Sequence, residues 1–294
     1  MKKLNSSQKW GIFFITPWAI MFLVFLAYPI YLSLKNSFLK VNLIQPEKTM
    51  FVGFENWFRA ITDLLFWQSI FNIFYNQIIF IVLSMIIGLI LASILIEIKY
   101  AKSFFRTVYF LPVITSLPVA MVIFSYLVSP TGPIQMVLMN WHIMKEPIIW
   151  TFDKWLPMPI IALFSCWKWF GIQMIIFMAG MAGIDRSIYE AADIDGATWF
   201  DKFKRITIPS LKPQIIFVLS MNIINGLQMF TEVFMNFDIS GGPYHSALTP
   251  VLYLFNQGFY NMDMGYASAL GLLLSVIIFI LTKAQMKIMR AYED

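Results

Sequence analysis

The strongest constraint on this chain is a series of long segments that contain no charged residue. Asp, Glu, Lys and Arg are all absent from residues 11–33, 64–96, 107–144 and 264–282. A helix needs about 20 predominantly apolar residues to cross a hydrocarbon core of about 30 Å. Each of these segments is therefore long enough to span a membrane.

Two further apolar segments carry one charge each, Lys168 in 158–182 and Glu232 in 213–233. The chain is 59% hydrophobic and 13% charged, whereas a soluble domain is about 25% charged. Its mean hydropathy is +0.72. We therefore predict an all-α, polytopic membrane protein with one transmembrane domain over residues 1–294. Its six helices are predicted at about 11–33, 69–96, 105–128, 158–182, 213–234 and 264–286.

The basic residues between these helices predict the orientation, because cytoplasmic loops of membrane proteins are enriched in Lys and Arg. With a cytoplasmic N-terminus, most of them fall inside: Lys2, Lys3, Lys9, Lys99, Lys102, Arg106, Arg186, Lys202, Lys204, Arg205, Lys212, Lys283, Lys287 and Arg290. Fewer fall outside: Lys35, Lys40, Lys48, Arg59, Lys145 and Lys154. Both termini and the loop 183–212 are then predicted to be cytoplasmic. The net charge of +5 follows from this topology and does not indicate nucleic-acid binding.

Catalytic and metal-binding chemistry have little support in the sequence. Cys166 is the only cysteine, and His142 and His245 are far apart in the chain. No metal site and no catalytic residue are predicted, because such sites need clustered ligands or paired acid and base groups. Residues 130–157 contain Pro and Trp residues and are predicted to form an outer interfacial segment.

The loop 183–212 contains signals for two short helices. Ser187 and Glu190 fit a capping box at a helix start, and Gly196 can adopt the left-handed conformation that ends a helix. Thr198 offers a second start, and Pro209 is predicted to stop the helix that follows. Trp199, Phe200, Phe203 and Ile206 recur at helical spacing between them. On these signals alone, the loop could equally be a capped hairpin that only tethers two spans.

The spacing of Glu190-Ala191-Ala192, Asp195-Gly196 and Ile206-Thr207-Ile208-Pro209 resembles a known cytoplasmic signature. It is the signature of the membrane-spanning permeases of binding-protein-dependent ABC importers, with Ile208 where leucine is usual. Other segments that resemble this family are Phe14–Pro17, Tyr28-Pro29, Phe51–Trp57, Phe104–Pro112, Ser240–Pro243 and Met264–Ala269. The chain looks closer to the oligosaccharide and glycerol-phosphate branch than to the amino-acid branch.

The resemblance implies that residues 183–212 form a coupling loop seated in a groove of an ATP-hydrolysing subunit. Glu190 would pair with a basic residue there, Ala191 and Ala192 would permit close approach, and Gly196 would make the turn. The implied partners are a second permease subunit, two copies of a cytoplasmic ATP-binding subunit, an extracytoplasmic solute-binding protein and a sugar substrate. The implied location is a bacterial cell membrane, with the lipid bilayer around the spans.

No cofactor is expected on this chain. The sequence contains no Gly-x-x-x-x-Gly-Lys-Ser/Thr pattern, which is the pattern that cradles nucleotide phosphates. ATP and Mg are therefore expected on the partner ATPase subunits.

Candidate substrate contacts are polar residues within the predicted spans. Asn222, Asn225, Gln228 and Glu232 follow one another at intervals of three, three and four residues, which places them within an arc of about 120° on a continuous helix. In the fourth helix, Lys168, Trp169 and Gln173 add a cation, an aromatic face and an amide, and Lys168 hints at an anionic sugar. The alternative interpretation is that these residues form interhelical hydrogen bonds and a Lys168–Glu232 pair. Asn72 and Asn76 are interpreted as helix-packing residues.

Two other function classes remain open at this point. An ion-coupled secondary transporter of a small polar solute would also have polar residues within its bundle, but it would need no separate ATPase. A membrane-embedded enzyme is less well supported, since no cluster of acid, base or nucleophile is found.

Overall fold

The structure is a computed structural model that describes residues 5–98 and 100–290. Lys2, Lys3 and Lys99, which entered the predicted orientation, lie outside the described residues. Most of the described chain is helical, which confirms the predicted fold class. One two-stranded hairpin is an exception that the prediction did not include.

The α-helices form an almost continuous series along the chain. They are α1 (Ser6–Phe22), α2 (Tyr28–Asn36), α3 (Glu55–Thr62), α4 (Leu64–Glu97), α5 (Lys102–Ile114), α6 (Leu117–Leu127), α7 (Pro133–Asn140), α8 (Pro157–Ala182), α9 (Arg186–Ile194), α10 (Trp199–Lys202), α11 (Ile208–Ser210), α12 (Lys212–Gly226), α13 (Thr231–Phe237), α14 (Pro250–Phe255) and α15 (Met264–Arg290).

Shorter elements connect these helices. There are 3₁₀ turns at Pro46–Lys48, Trp150–Phe152, Asp238–Ser240 and Pro243–His245, and π-helical turns at Leu23–Ala27, Phe203–Thr207 and Asn256–Tyr260. The strands β1 (Leu39–Lys40) and β2 (Met50–Phe51) pair in antiparallel fashion.

Five segments of the described chain are long and apolar enough to cross a membrane. They are Trp10–Asn36, Leu64–Glu97, Pro157–Ala182, Lys212–Ser240 and Met264–Met289. The pair α5 and α6 makes a sixth when it is counted as one span. Helix α7 and the turn Trp150–Phe152 fall within the predicted interfacial segment 130–157.

The third predicted helix, 105–128, is not continuous. Helix α5 ends at Ile114, α6 begins at Leu117, and the two are bent by 99°. The proline ring of Pro118 explains the break, because proline within a helix clashes with the carbonyl of the fourth residue before it, here Ile114. Thr115 between the helices has an extended backbone. The prediction missed this because it considered only charge and hydropathy in that run.

The described chain divides into two compact units. One contains residues up to Leu64 together with Leu254–Val276, and the other contains Leu65–Tyr253 and residues from Ile277 onwards. In the first unit, the Asn56 amide donates to the carbonyls of Ser37 and Leu39, both at 3.1 Å. These bonds attach α3 to the chain that enters β1.

An ion pair and an aromatic contact further organise the first unit. The Arg59 guanidinium lies 2.6 Å from the Asp263 carboxylate and 3.7 Å from the centroid of the Tyr266 ring. The Tyr266 hydroxyl in turn donates to the Asp63 carboxylate. Tyr266 is completely buried, so its polar end is satisfied as burial requires.

The core of the second unit lies among α4, α8 and α12. Helix α8 is the most enclosed of the long helices, with 61% of its apolar window buried, whereas the Trp10–Asn36 segment buries 0% of its own. The buried core residues are Ala92, Leu95, Met174, Phe177, Met178, Met181, Leu211 and Val218.

Gly171 allows α5 to approach α8 closely. A Cβ at this position would lie 3.0 Å from the carbonyl carbon of Tyr109 and closer still to its oxygen, both backbone atoms of α5. Small residues at such contacts are what permits tight helix packing in membranes. The substitution Gly171→Ala would therefore force the two helices apart.

We expect Gly171→Ala to destabilise the folded protein by about 1–3 kcal/mol, the usual cost of an overpacked contact. The measurement is the thermal midpoint of the detergent-solubilised protein by fluorescence-detected gel filtration. Gly271→Ala is the matched control, since a Cβ there meets no atom within 4 Å. Equal midpoints for the two variants would contradict the close approach of α5 and α8.

Candidate coupling hairpin and intramembrane polar cluster

Helix α9 begins at a different cap from the predicted one. The Asp185 carboxylate accepts a hydrogen bond from the Ser187 backbone amide at 2.9 Å, so the Ser187–Glu190 capping box is wrong. The carboxylate is a stronger acceptor than a serine hydroxyl, and its negative charge is favourable at a helix N-terminus. The same amide holds the pKa of Asp185 below its ordinary value, because the hydrogen bond favours the ionised carboxylate.

Helix α9 ends at Gly196, as predicted. Gly196 has a φ of +74°, its amide donates to the Asp193 carbonyl at 3.1 Å, and the Ala197 amide donates to the Ala192 carbonyl at 2.9 Å. This pair of bonds is the Schellman motif, which needs a left-handed residue at that position. The chain turns sharply here as a result.

The second leg starts at Thr198, as predicted, and the structure shows a capping box there. The Thr198 hydroxyl accepts from the Asp201 amide, and the Asp201 carboxylate accepts from the Thr198 amide. The Thr198 side chain lowers the pKa of the Asp201 carboxyl. The first leg is therefore capped by a carboxylate, and the second by a threonine hydroxyl within a capping box.

Pro209 does not end the second leg, and that prediction is wrong. The chain passes from α10 through the π-helical turn Phe203–Thr207 into α11, and α12 begins at Lys212. Proline is tolerated in the first turn of a helix, where its missing N–H has no intrahelical partner to lose. Pro209 stands in the first turn of α11, after the wider π turn.

Side-chain contacts join the two legs of residues 185–210, which we call the α9–α10 hairpin. Lys202 forms an ion pair with Asp193 at 2.7 Å, and the Tyr189 hydroxyl hydrogen-bonds the Thr207 hydroxyl at 2.9 Å. The angle between the legs is therefore set by contacts within the hairpin itself, before any partner binds.

The signature residues lie mostly on the outside of the hairpin. Glu190, Ala191, Asp195, Gly196 and Pro209 are exposed, and Ala192 and Ile206 are half-buried. Two large apolar side chains are exposed beside them, Ile194 at 89% and Phe200 at 63%. Exposed apolar groups with a charged surround are typical of a protein-binding surface.

Lys168 is enclosed within the second unit and contacts the break between α5 and α6. It is 1% exposed, and its ammonium donates to the carbonyls of Pro112, Val113 and Thr115 at 2.5, 3.1 and 2.7 Å. The Thr115 hydroxyl is a fourth partner at 3.3 Å. The ammonium thus has four oxygen partners within the chain, and its role along a substrate path stays a prediction.

The predicted alternative pairing of Lys168 with Glu232 is not formed. Within residues 5–98 and 100–290, the ion pairs are Arg59–Asp263 and Lys202–Asp193. Glu232 is buried in α13. Trp169 is half-buried, with its ring centroid 5.2 Å from the Lys168 nitrogen, and packs against the apolar cluster around Phe80.

Gln173 and Asn222 link three long helices. The Gln173 amide donates to the Ser84 hydroxyl of α4 at 3.1 Å and to the Asn222 carbonyl oxygen of α12 at 3.2 Å. The Gln173 carbonyl oxygen and the Asn222 amide nitrogen are buried without a protein partner. The Gln173 oxygen can therefore accept, and the Asn222 nitrogen donate, a hydrogen bond with another molecule.

The predicted polar stripe is interrupted. Helix α12 ends at Gly226 and α13 begins at Thr231, so the fixed angle assumed between Asn222 and Glu232 does not apply. Asn225 and Gln228 are exposed, whereas Glu232 is buried. The stripe thus divides into an enclosed part and a part on the surface of the chain.

Three buried side-chain amides bind backbone carbonyls of other segments. The contact of Asn76 in α4 with α8 agrees with the predicted helix-packing role, whereas Asn72 and Gln135 bind connecting segments, which the sequence interpretation missed. Asn72 donates to the carbonyls of His245 and Leu248 at 2.8 and 3.0 Å. Asn76 donates to the Met158 carbonyl at the start of α8, at 2.9 Å. Gln135 donates to the carbonyls of Val128 and Ile148, both at 2.8 Å. An isolated amide in an apolar run was the only available signal, and it does not identify the partner.

Metal ligands do not converge in the part of the chain that the structure describes. No three His, Cys, Asp or Glu side chains come together there in a geometry that could hold an ion. The fold defines a multi-span membrane protein whose α9–α10 hairpin is held in shape by its own contacts.

Comparison with known proteins gives the family. A family model described as the inner membrane component of binding-protein-dependent transport systems matches residues 99–290. The arabinooligosaccharide transport permease AraP of Halalkalibacterium halodurans is 33% identical over 295 residues, covering 98% of this chain and 90% of that protein. The lactose transport permease LacF of Rhizobium radiobacter is 34% identical over 277 residues, covering 94% and 92%.

A solved structure shares the fold. It is the crystal structure of a bacterial ABC transporter involved in import of the acidic polysaccharide alginate, with a TM-score of 0.80 at 21% identity over 97% of this chain and 96% of that one. The chain belongs to the family of inner membrane components of binding-protein-dependent ABC transporters, which confirms the resemblance. Members of this family are translocation subunits and not enzymes.

We expect Lys168→Met to lower the thermal stability of the protein strongly. The substitution removes the ammonium that donates to the part-buried carbonyls of Val113 and Thr115, and each orphaned group costs about 1–3 kcal/mol. The Pro112 carbonyl loses one donor and keeps the Thr115 amide and hydroxyl. Lys145→Met, which removes the same charge at an exposed position, is the control and is expected to leave the thermal midpoint unchanged. A stable Lys168→Met protein that has lost only transport of acidic solutes would contradict the backbone role and restore the substrate-path interpretation.

Proposed function

We propose that this chain is the permease subunit of an ATP-driven importer that carries a sugar or oligosaccharide delivered by an extracytoplasmic binding protein. The observation that carries this proposal is the α9–α10 hairpin, whose caps and internal contacts fix its shape while its signature residues stay exposed. Family membership supports the same conclusion, and it disfavours the ion-coupled secondary transporter.

In this proposal the hairpin docks on an ATPase subunit at the cytoplasmic face. Ala191 and the exposed Ile194 would enter the partner's groove, with Glu190 meeting a basic residue at its edge. Two ATPase copies would bind ATP and Mg, since the chain itself has no phosphate-binding loop. Closure of the two ATPases would move the hairpins and, through them, the spans.

The exposed amides of the fifth span support a second permease subunit. Asn225 and Gln228 lie on the surface of a segment long enough to cross a membrane, where a polar side chain facing lipid is costly. A second permease would cover this surface and leave a path between the two chains. We place Asn225 and Gln228 on that path, in a bacterial cell membrane.

We further propose that the cargo is a neutral saccharide. The Lys168 ammonium is the cation that would attract an acid within the spans, and four backbone and hydroxyl oxygens surround it. Amides such as Asn225 and Gln228 suit hydroxyl groups, because each offers both donors and acceptors. Similar proteins named for arabinooligosaccharides and lactose agree with this choice, whereas those named for sulfoquinovosyl glycerol and sn-glycerol-3-phosphate, which are anionic, do not.

Reversing the charge of Glu190 tests the coupling role. We expect Glu190→Lys to reduce co-purification of the ATPase by about tenfold or more and to abolish uptake. The new lysine would face the basic residue proposed in the partner's groove, and two like charges at an interface repel each other strongly. Glu47→Lys makes the same change at an exposed position on the predicted outer side and should leave both unchanged. Intact assembly and uptake in Glu190→Lys would rule out the coupling role of the hairpin.

A panel of saccharides tests the cargo. The chain is co-expressed with its second permease, ATPase and binding protein and reconstituted in liposomes, and ATP hydrolysis is measured with neutral and acidic oligosaccharides. Stimulation by a neutral oligosaccharide, dependent on the binding protein, is the expected result. Stimulation by uronate oligosaccharides alone would overturn the neutral cargo, while hydrolysis indifferent to every ligand would overturn the importer itself.

A further inference from the structure

A cavity of about 890 Å³ lies between the α9–α10 hairpin and the ends of three long helices. The last turn of α4, the first turns of α5 and the last turns of α8 line one side, and residues of both hairpin legs line the other. Because α4 and α8 are apolar helices of membrane-spanning length, their ends place the cavity at the boundary between hydrocarbon and water.

The lining of the cavity is strongly basic. It contains four cations, Lys102, Arg106, Arg186 and Lys202, against the single acid Glu97. Lys202 is paired with Asp193, and Lys102 donates to the Ile96 carbonyl at 3.3 Å.

Two of these cations have no partner among the residues that the structure describes. Arg106 and Arg186 are exposed, and among the described residues neither guanidinium forms a hydrogen bond or an ion pair. The bidentate guanidinium fork suits a phosphate group well. The cavity thus offers two available phosphate-binding groups beside two further positive charges.

The remaining lining is apolar and comes from the membrane helix α8. Ile175, Met178 and Ala179 form this part of the wall, and Trp199 lines the cavity on the hairpin side. Cations at one side and aliphatic groups at the other match a molecule with a phosphate head and acyl chains. A free inorganic anion would use only the cations.

We propose that this cavity binds an anionic glycerophospholipid, with its phosphate at Arg106 and Arg186 and its acyl chains along α8. Basic pockets between membrane helices bind anionic lipid headgroups in this way. The bound lipid would join α5 and α9, so that the resting position of the hairpin depends on the lipid. This proposal is independent of which solute is carried.

The test is native mass spectrometry of the whole assembled complex, titrated with dioleoyl phosphatidylglycerol or dioleoyl phosphatidylcholine. We expect selective retention of phosphatidylglycerol, and the double variant Arg106→Gln/Arg186→Gln should weaken its apparent affinity by about tenfold or more, as expected for the loss of two cation–anion contacts. Lys283→Gln/Lys287→Gln, which removes two exposed cations of α15 outside the cavity, should retain it. Gel-filtration profiles check that each variant complex is assembled.

A third variant separates lipid from free anion. Ala179→Phe fills space along the apolar wall of the cavity without removing a charge. It should weaken phosphatidylglycerol binding while leaving any effect of inorganic phosphate unchanged. Equal phosphatidylglycerol binding by the wild type and the arginine double variant would overturn the proposal. Full displacement of the lipid by millimolar inorganic phosphate would overturn it too, in favour of a soluble anion.

Discussion

A break in a membrane-spanning helix leaves backbone carbonyl groups without helical donors. At the break between α5 and α6, the Lys168 ammonium donates to three of them, and the Thr115 amide and hydroxyl also donate to Pro112. The carbonyls of Pro112, Val113 and Thr115 all lie within hydrogen-bond distance of the Lys168 nitrogen. No water is available in hydrocarbon to replace it. The 99° bend and the charge on α8 therefore stabilise each other, since each would be costly alone.

Helix α8 connects most of the second unit because its successive turns contact different neighbours. Lys168 and Gly171 face α5, while Gln173 reaches both Ser84 of α4 and Asn222 of α12. The α9–α10 hairpin joins the end of α8 to the start of α12. A displacement of the hairpin consequently acts on two helices that are already joined by a hydrogen bond within the membrane.

The amino-acid sequence predicted features that depend on composition or on a local motif. Charge-free runs predicted the long helices, and Gly196 and Thr198 predicted the turn between α9 and α10. These signals involve only residues near one another in the chain. The Asp185 cap was missed because Ser187 fits a capping motif equally well, and Asp185 was not considered. The bend at Thr115 was missed because only charge and hydropathy were considered in that run. The partners of Lys168 were missed because they lie more than 50 positions away in the chain. Whether the candidate residues touch a partner or a sugar stays a prediction.

Some polar side chains of the spans are buried within the chain and others are exposed, and this difference indicates where a solute path could lie. Lys168, Gln173 and Glu232 are buried within the chain, while Asn225 and Gln228 are exposed on it. The Lys168 ammonium is occupied by backbone oxygens, and all three groups are covered by the chain itself, so a solute would have to displace internal packing to reach them. Exposed amides cost free energy against lipid but none against a solvated cavity or another protein. The arrangement thus favours a path at the surface of this chain, completed by a second subunit, over one through its interior.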